Sequence, residues 1–153
     1  NINLIEIYNQ KDIVFENFNV TPFEVPHRNE LSETVGYKIT INKKSIIFIP
    51  DIDSWDKWDC SLVDLVKNND LLFIDGTFYN KNEIKTRDVS KIPHPEIIET
   101  INMLSHLDDA EKQKVQFIHM NHTNKVLQPN SSEFINLKEN NFNIVKENQT
   151  FNF

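Results

Sequence analysis

At 153 residues, with 39% apolar and 10% aromatic content, the chain is the size of one domain and rich enough in core-forming residues to argue against disorder. Its 16 Lys and Arg against 23 Asp and Glu leave a net charge of −7, which argues against nonspecific binding along a phosphate backbone and makes nucleic acid an unexpected partner. One cysteine excludes an intrachain disulfide and a cysteine-rich zinc site, two glycines leave no Gly-rich phosphate loop, and no stretch approaches the roughly 18–20 apolar residues of a membrane span.

In chain order, short runs rich in Ile, Val, Phe and Tyr come first: Leu4 to Tyr8, Ile13 to Phe15, Val20 to Val25, Val35 to Ile41 and Ser45 to Ile49. Asn, Asp, Lys and Pro separate them, the pattern of hairpin strands. "YKITINKKSIIFI" reads as one hairpin turning at Asn42 to Lys44, and its nearly all-apolar second strand predicts burial on both faces. After Asp51 the rhythm changes. Cys60 to Lys67 is amphipathic at helical spacing, "LLFI" at 71 to 74 is a buried strand, and Pro95 to Leu107 predicts a helix with Pro95 at its first position and His94 just before it. "VQFIHM" at 115 to 120 reads as a strand and Ser131 to Asn140 as a helix capped by Ser131 or Ser132, followed by a polar C-terminal taper. Antiparallel strands followed by alternating strands and helices predict one domain, a layered α/β sandwich with a mixed sheet.

Ligands in α/β sheets gather at the carboxyl ends of strands. Asp51 follows "IIFIP", Asp75 follows "LLFI", His119 follows "VQFI", and His94 stands at a helix start. Asp51 is a hard anionic metal ligand or a turn-former after Pro50, and His119 an imidazole ligand or a core histidine. Asp75 and His94 suit an acid–base pair, the carboxylate fixing the tautomer, or else a turn Asp before Gly76 and a helix-capping His. In that pair the helix start would pull the His94 pKa down and Asp75 would push it up. Trp55, Trp58, Phe78 and Tyr79 flank these positions as pocket walls or as core. Asn-x-Ser/Thr triplets such as those at Asn121, Asn130 and Asn148 are matched by chance in so Asn-rich a chain.

Taken in order, "VPHRNELSETVGYKI", "FIPDID", "LLFIDGTFY", "IPHPEIIETI" and "FIHMNHTN" resemble the C-terminal half of a metallo-β-lactamase-fold protein of the kind related to coenzyme PQQ synthesis protein B, and more distantly ribonuclease Z. The resemblance covers about Phe23 to Lys125. It implies an αβ/βα sandwich and a metal-dependent hydrolase acting on an ester, phosphodiester or lactam-type bond of a small-molecule substrate. It also implies Asp51 as the metal-bridging aspartate and His119 as the last histidine ligand, with Asp75 and His94 as the acid and histidine of the "HEATF" and "HST" segments. Two zinc ions are implied in the intact protein, with iron or manganese as other occupants. A PQQ-related, iron-dependent oxidative enzyme and a non-catalytic binding domain are the other readings. "HMNHTN" places His122 where such proteins carry Asn, so His122, like Asp53 and the His27 of "VPHR", is expected beside the ligands or on the substrate side. The H-x-H-x-D-H metal motif of the family is absent from these residues, and the chain opens on Asn1 rather than Met. The resemblance therefore implies a first half elsewhere, no tightly bound metal and no catalysis in this chain alone, and an apolar sheet face covered by that first half or by a second copy.

Overall fold

Strands β1 (Ile13–Val14), β2 (Asn19–Val25), β3 (Thr34–Ile41), β4 (Lys44–Ile49), β5 (Leu71–Asp75), β6 (Val115–Ile118) and β7 (Asn143–Ile144) form one seven-stranded sheet in sequential order. The computed structural model describes residues 2–30, 32–83 and 93–152. β1 to β4 pair antiparallel and β4 to β7 pair parallel. The change of direction follows from the connections. Asn42 and Lys43, with φ of 49° and 68°, make the left-handed two-residue turn that matches strand twist and joins β3 to β4. Parallel neighbours need crossovers, supplied here by helices α1 (Leu62–Asn68), α2 (Ile97–Met103), α3 (Asp109–Gln113) and α4 (Ser132–Glu139).

The parallel register places Ile47 and Ile49 beside Leu72 and Ile74, which lie beside Val115 and Phe117, all on one face. They join Leu62, Val66, Ile97, Ile101, Leu104 and Leu137 in one core cluster, where each fully buried aliphatic or aromatic side chain contributes about 1.5–3 kcal/mol. The other face is only partly covered. Phe48 there remains 37% exposed, and the tail residue Phe151 packs edge-on against Phe73 with ring centres 5.2 Å apart. β4 is thus buried on one face, not both as its composition suggested.

Other expectations also need correction. Leu4 to Tyr8 forms no strand, and Ile2, Leu4 and Ile5 are 85–91% exposed, because the outer edge of β2 is already used by β1, Asn9 and Gln10. The α2 helix starts at Ile97, not Pro95. Glu96 is extended and bridges Phe78, and the first helical amides donate to Phe78 O and Tyr79 O. That helix ends at Met103, and a second one, α3, begins after a reciprocal capping box between Asp108 and Glu111. β7 lies in what composition suggested was a polar taper. Ser61 and Ser131 cap α1 and α4, the latter as expected. Among the described residues no helix is long and apolar enough to cross a membrane.

Candidate metal centre

Because Ile49 aligns with Ile74 and Ile74 with Phe117, the chain leaves β4, β5 and β6 at one edge of the sheet. Asp51 lies just past β4, Asp75 ends β5, His119 follows β6, and His94 reaches in from the segment before α2. Asp51, Asp75, His94 and His119 each bring one ligating atom into a group spanning no more than 4.8 Å. The four residues singled out in the sequence are therefore brought together.

The two carboxylates face opposite circumstances. Asp75 is fully buried and saturated: Oδ1 accepts from Thr77 N at 2.9 Å and Thr77 Oγ1 at 2.7 Å, and Oδ2 from Ile52 N at 3.3 Å and His94 Nδ1 at 2.7 Å. No oxygen is left for a cation. Asp51 Oδ1 is shut off from water and accepts no hydrogen bond, although His27 Nε2 and His94 Nδ1 lie 3.3 Å and 3.4 Å away. The rest of the Asp51 side chain is 34% exposed, so this one carboxylate oxygen, cut off from water and without a donor, is the atom that a cation would satisfy. Asp51 with His119 thus fits a divalent metal that takes oxygen and imidazole ligands, whereas Asp75 fits the orientation of an imidazole.

Burial works to lower the His94 pKa, but the hydrogen bond and charge of Asp75, joined by the charge of Asp51, outweigh it and raise the imidazole above its ordinary value. The helix start expected to oppose this lies at Ile97, beyond the first turn's reach of His94. His27 is drawn in as well: its ring lies 5.5 Å from that of His94, and Nδ1 stands 3.2 Å from Asp53 Oδ1. Asp53 is tied to Lys57 at 3.2 Å and, through its backbone N–H, to Pro26 O at 2.7 Å, which pins the β2–β3 connection against the β4 exit. His122 is exposed in the turn after β6 and makes no hydrogen bond or ion pair with the group among the described contacts.

Of the four aromatic residues Trp55, Trp58, Phe78 and Tyr79, Phe78 packs T-shaped against His94 among the described contacts, with ring centres 6.0 Å apart. Trp55 and Tyr79 are core residues, donating to Thr100 Oγ1 and Asn136 Oδ1. Trp58 stacks on Phe23 and lines a separate cleft of about 790 Å3 between the β2–β3 hairpin and α1, which none of the four grouped residues lines.

Thr77, Gly76 and Asn124 were not singled out by the sequence, yet they build the site. Asn124, 1% exposed, donates through Nδ2 to Gly76 O at 2.9 Å and Thr77 O at 3.2 Å, clamping the β5 exit to the β6 exit. Its Oδ1 accepts from Val126 N. Replacement by Ala strands Gly76 O and Val126 N and leaves Thr77 O with Asn121 N alone, and urea denaturation is expected to show a loss of about 2–4 kcal/mol. At Gly76 an added Cβ would stand 2.9 Å from Phe117 Cβ and 3.1 Å from Ile118 O. Both neighbours are core or backbone, so Gly76→Ala is expected to cost about 1–3 kcal/mol in the same assay. His119 sits at φ 59°, a left-handed conformation that costs a non-glycine residue roughly 1–2 kcal/mol and turns its side chain toward the strand ends.

The family model described as "Beta-lactamase superfamily domain" matches residues 1–120. Among curated proteins, coenzyme PQQ synthesis protein B of Acinetobacter baumannii (strain ACICU) is 27% identical over 143 residues, covering 82% of this chain and 46% of that protein. The same-named protein of Gluconobacter oxydans (strain 621H) is 24% identical over 155 residues, covering 92% and 50%. The chain thus spans about half the length of the curated relatives it matches. Among solved structures, Zn(2+)-bound PqqB from Methylobacterium extorquens superposes with a TM-score of 0.75 at 20% identity, covering 96% of this chain and 55% of that one. The metallo-β-lactamase fold protein YhfI from Bacillus subtilis gives 0.57 at 15% identity, covering 92% and 51%. These structural likenesses speak for the fold, and the family match agrees with them: this chain belongs to the β-lactamase superfamily domain family.

Proposed function

We propose that the chain carries one side of the catalytic centre of a metal-dependent hydrolase acting on an ester, phosphodiester or lactam-type bond. The observation that carries this reading is the division of labour between two carboxylates a few ångströms apart: Asp75 saturated and holding an imidazole, Asp51 partly exposed but with one oxygen shut off from water and lacking a donor. Asp51 and His119 hold the metal, zinc on the analogy of the zinc-bound neighbour, with iron or manganese able to accept the same donors. When bound, the metal supplies Lewis-acid polarisation and a deprotonated water. His94, its Nδ1 engaged by Asp75, turns its other nitrogen outward to pass a proton to the leaving group, and Phe78 walls that side against water.

A catalytic zinc normally takes three protein groups. We propose that the remaining ligands come from a further part of the sandwich, upstream in the whole protein or in a second copy, seated on the half-exposed sheet face around Phe48 and Phe73. The test is hydrolysis of activated phosphodiester, ester and lactam substrates by the whole protein, with metal content measured alongside. Asp51→Ala is expected to lose both metal and turnover, and His94→Ala to keep its metal while slowing about 10²–10⁴-fold. No hydrolysis and no metal in the unmodified protein would favour a binding domain that lost its chemistry.

A second reading, an iron-dependent oxidative step in PQQ formation, is favoured by the shared name of the curated relatives. Copurified iron with oxygen consumption, in place of zinc with hydrolysis, would select it.

A further inference from the structure

Thr77 stands where three side chains of the centre meet. It is 7% exposed, and its Oγ1 lies 2.7 Å from Asp75 Oδ1, 3.2 Å from His94 Nδ1 and 3.2 Å from His119 Nδ1. Its backbone is fixed on both sides: N donates to Asp75 Oδ1, while O accepts from Asn121 N and Asn124 Nδ2. The hydroxyl therefore has little freedom to choose other partners.

Counting protons settles its roles. A hydroxyl offers one proton and two lone pairs, and a carboxylate oxygen only accepts. The short contact to Asp75 Oδ1 takes the Thr77 proton. His94 Nδ1 has a better acceptor in Asp75 Oδ2 at 2.7 Å and gives its proton there. Toward His119 the Thr77 oxygen is left as an acceptor, so Nδ1 of His119 must carry the proton and Nε2 the free lone pair.

We propose that Thr77 is a positioning residue that locks His119 in the Nδ1-protonated tautomer, leaving Nε2 as the nitrogen that holds the metal. One carboxylate then orients both imidazoles, His94 directly through Oδ2 and His119 through the Thr77 hydroxyl on Oδ1. The last step rests on the metal-centre reading; the tautomer does not, and it is observable in the metal-free protein.

The experiment is a long-range proton–nitrogen correlation spectrum of the nitrogen-15-labelled protein near pH 9, above the ordinary imidazole range. His119 is expected to show a protonated Nδ1 and an unprotonated Nε2. Thr77→Val, close in shape but without the hydroxyl, is expected to move His119 to the Nε2-protonated form, and Thr77→Ser to keep the original signature. A protonated Nε2 in the unmodified protein overturns the proposal without recourse to any variant, as does a Thr77→Val spectrum that matches it. In zinc titrations of the whole protein, Thr77→Val is expected to bind about 10–100-fold more weakly and Thr77→Ser to recover. A tautomer change without a loss of affinity would remove His119 from the metal site and leave the role of Thr77 intact; lost affinity with an unchanged tautomer would overturn that role.

Discussion

Asp75→Ala is expected to destabilise the metal-free protein by about 3–5 kcal/mol, the largest single loss of the changes considered, read by urea denaturation at neutral pH. The side chain has no solvent exposure and receives two backbone amides, one hydroxyl and one imidazole. Ala leaves the Ile52 and Thr77 amides without their acceptor in a buried setting and the Thr77 hydroxyl and His94 with only longer contacts such as those to His119 and Asp51, and each stranded group costs about 1–3 kcal/mol before relaxation. Asp75→Asn, nearly the same in volume, separates charge from packing. Its amide must turn an N–H toward one of those donors, so it too is expected to lose more than about 1 kcal/mol. If Asp75→Ala cost less than about 1 kcal/mol, the carboxylate would not be the hub of the strand ends.

Asp51→Ala is expected to behave in the opposite way. Its Oδ1 accepts no hydrogen bond in the metal-free protein, and nothing is stranded by its removal except the contacts to His27 and His94. The metal-free stability is expected to change by less than about 1 kcal/mol, while zinc affinity of the whole protein falls at least about a hundredfold, beyond the range of a lost outer partner. The contrast between the two aspartates matters more than either value. Two equal stability losses would mean that Asp51 is structural.

The positions of Asp51, Asp75 and His119 were legible because each is a polar residue that interrupts an apolar run, and parallel strands in register bring such interruptions to one edge. Thr77 was not, because its role needs the β5–β6 register, the Asn124 clamp and one rotamer together, none of which leaves a mark in residue order. His27 could be read only as an imidazole ahead of β3; its approach to Asp51 depends on the bond from Asp53 N to Pro26 O. The α3 helix did carry a readable signal, the Asp108–Glu111 box, but the apolar spacing of Leu104 and Leu107 continued the preceding helix past its end. The two residues of β7 have no pattern to speak of and are held by buried Phe142 and by Val145 N donating to Phe117 O. Leu4 to Tyr8 has the composition of a strand and lacks a neighbour, since propensity registers fit to a sheet and not the presence of one.

The most direct test is anomalous diffraction at the zinc edge from crystals of the whole protein grown with zinc. A peak about 2.0–2.2 Å from the Asp51 carboxylate and from His119 Nε2, with Asp75 still bonded to Thr77 and His94, is the expected result. A peak ligated by Asp75, or none beside Asp51, would contradict the division of labour between the two aspartates.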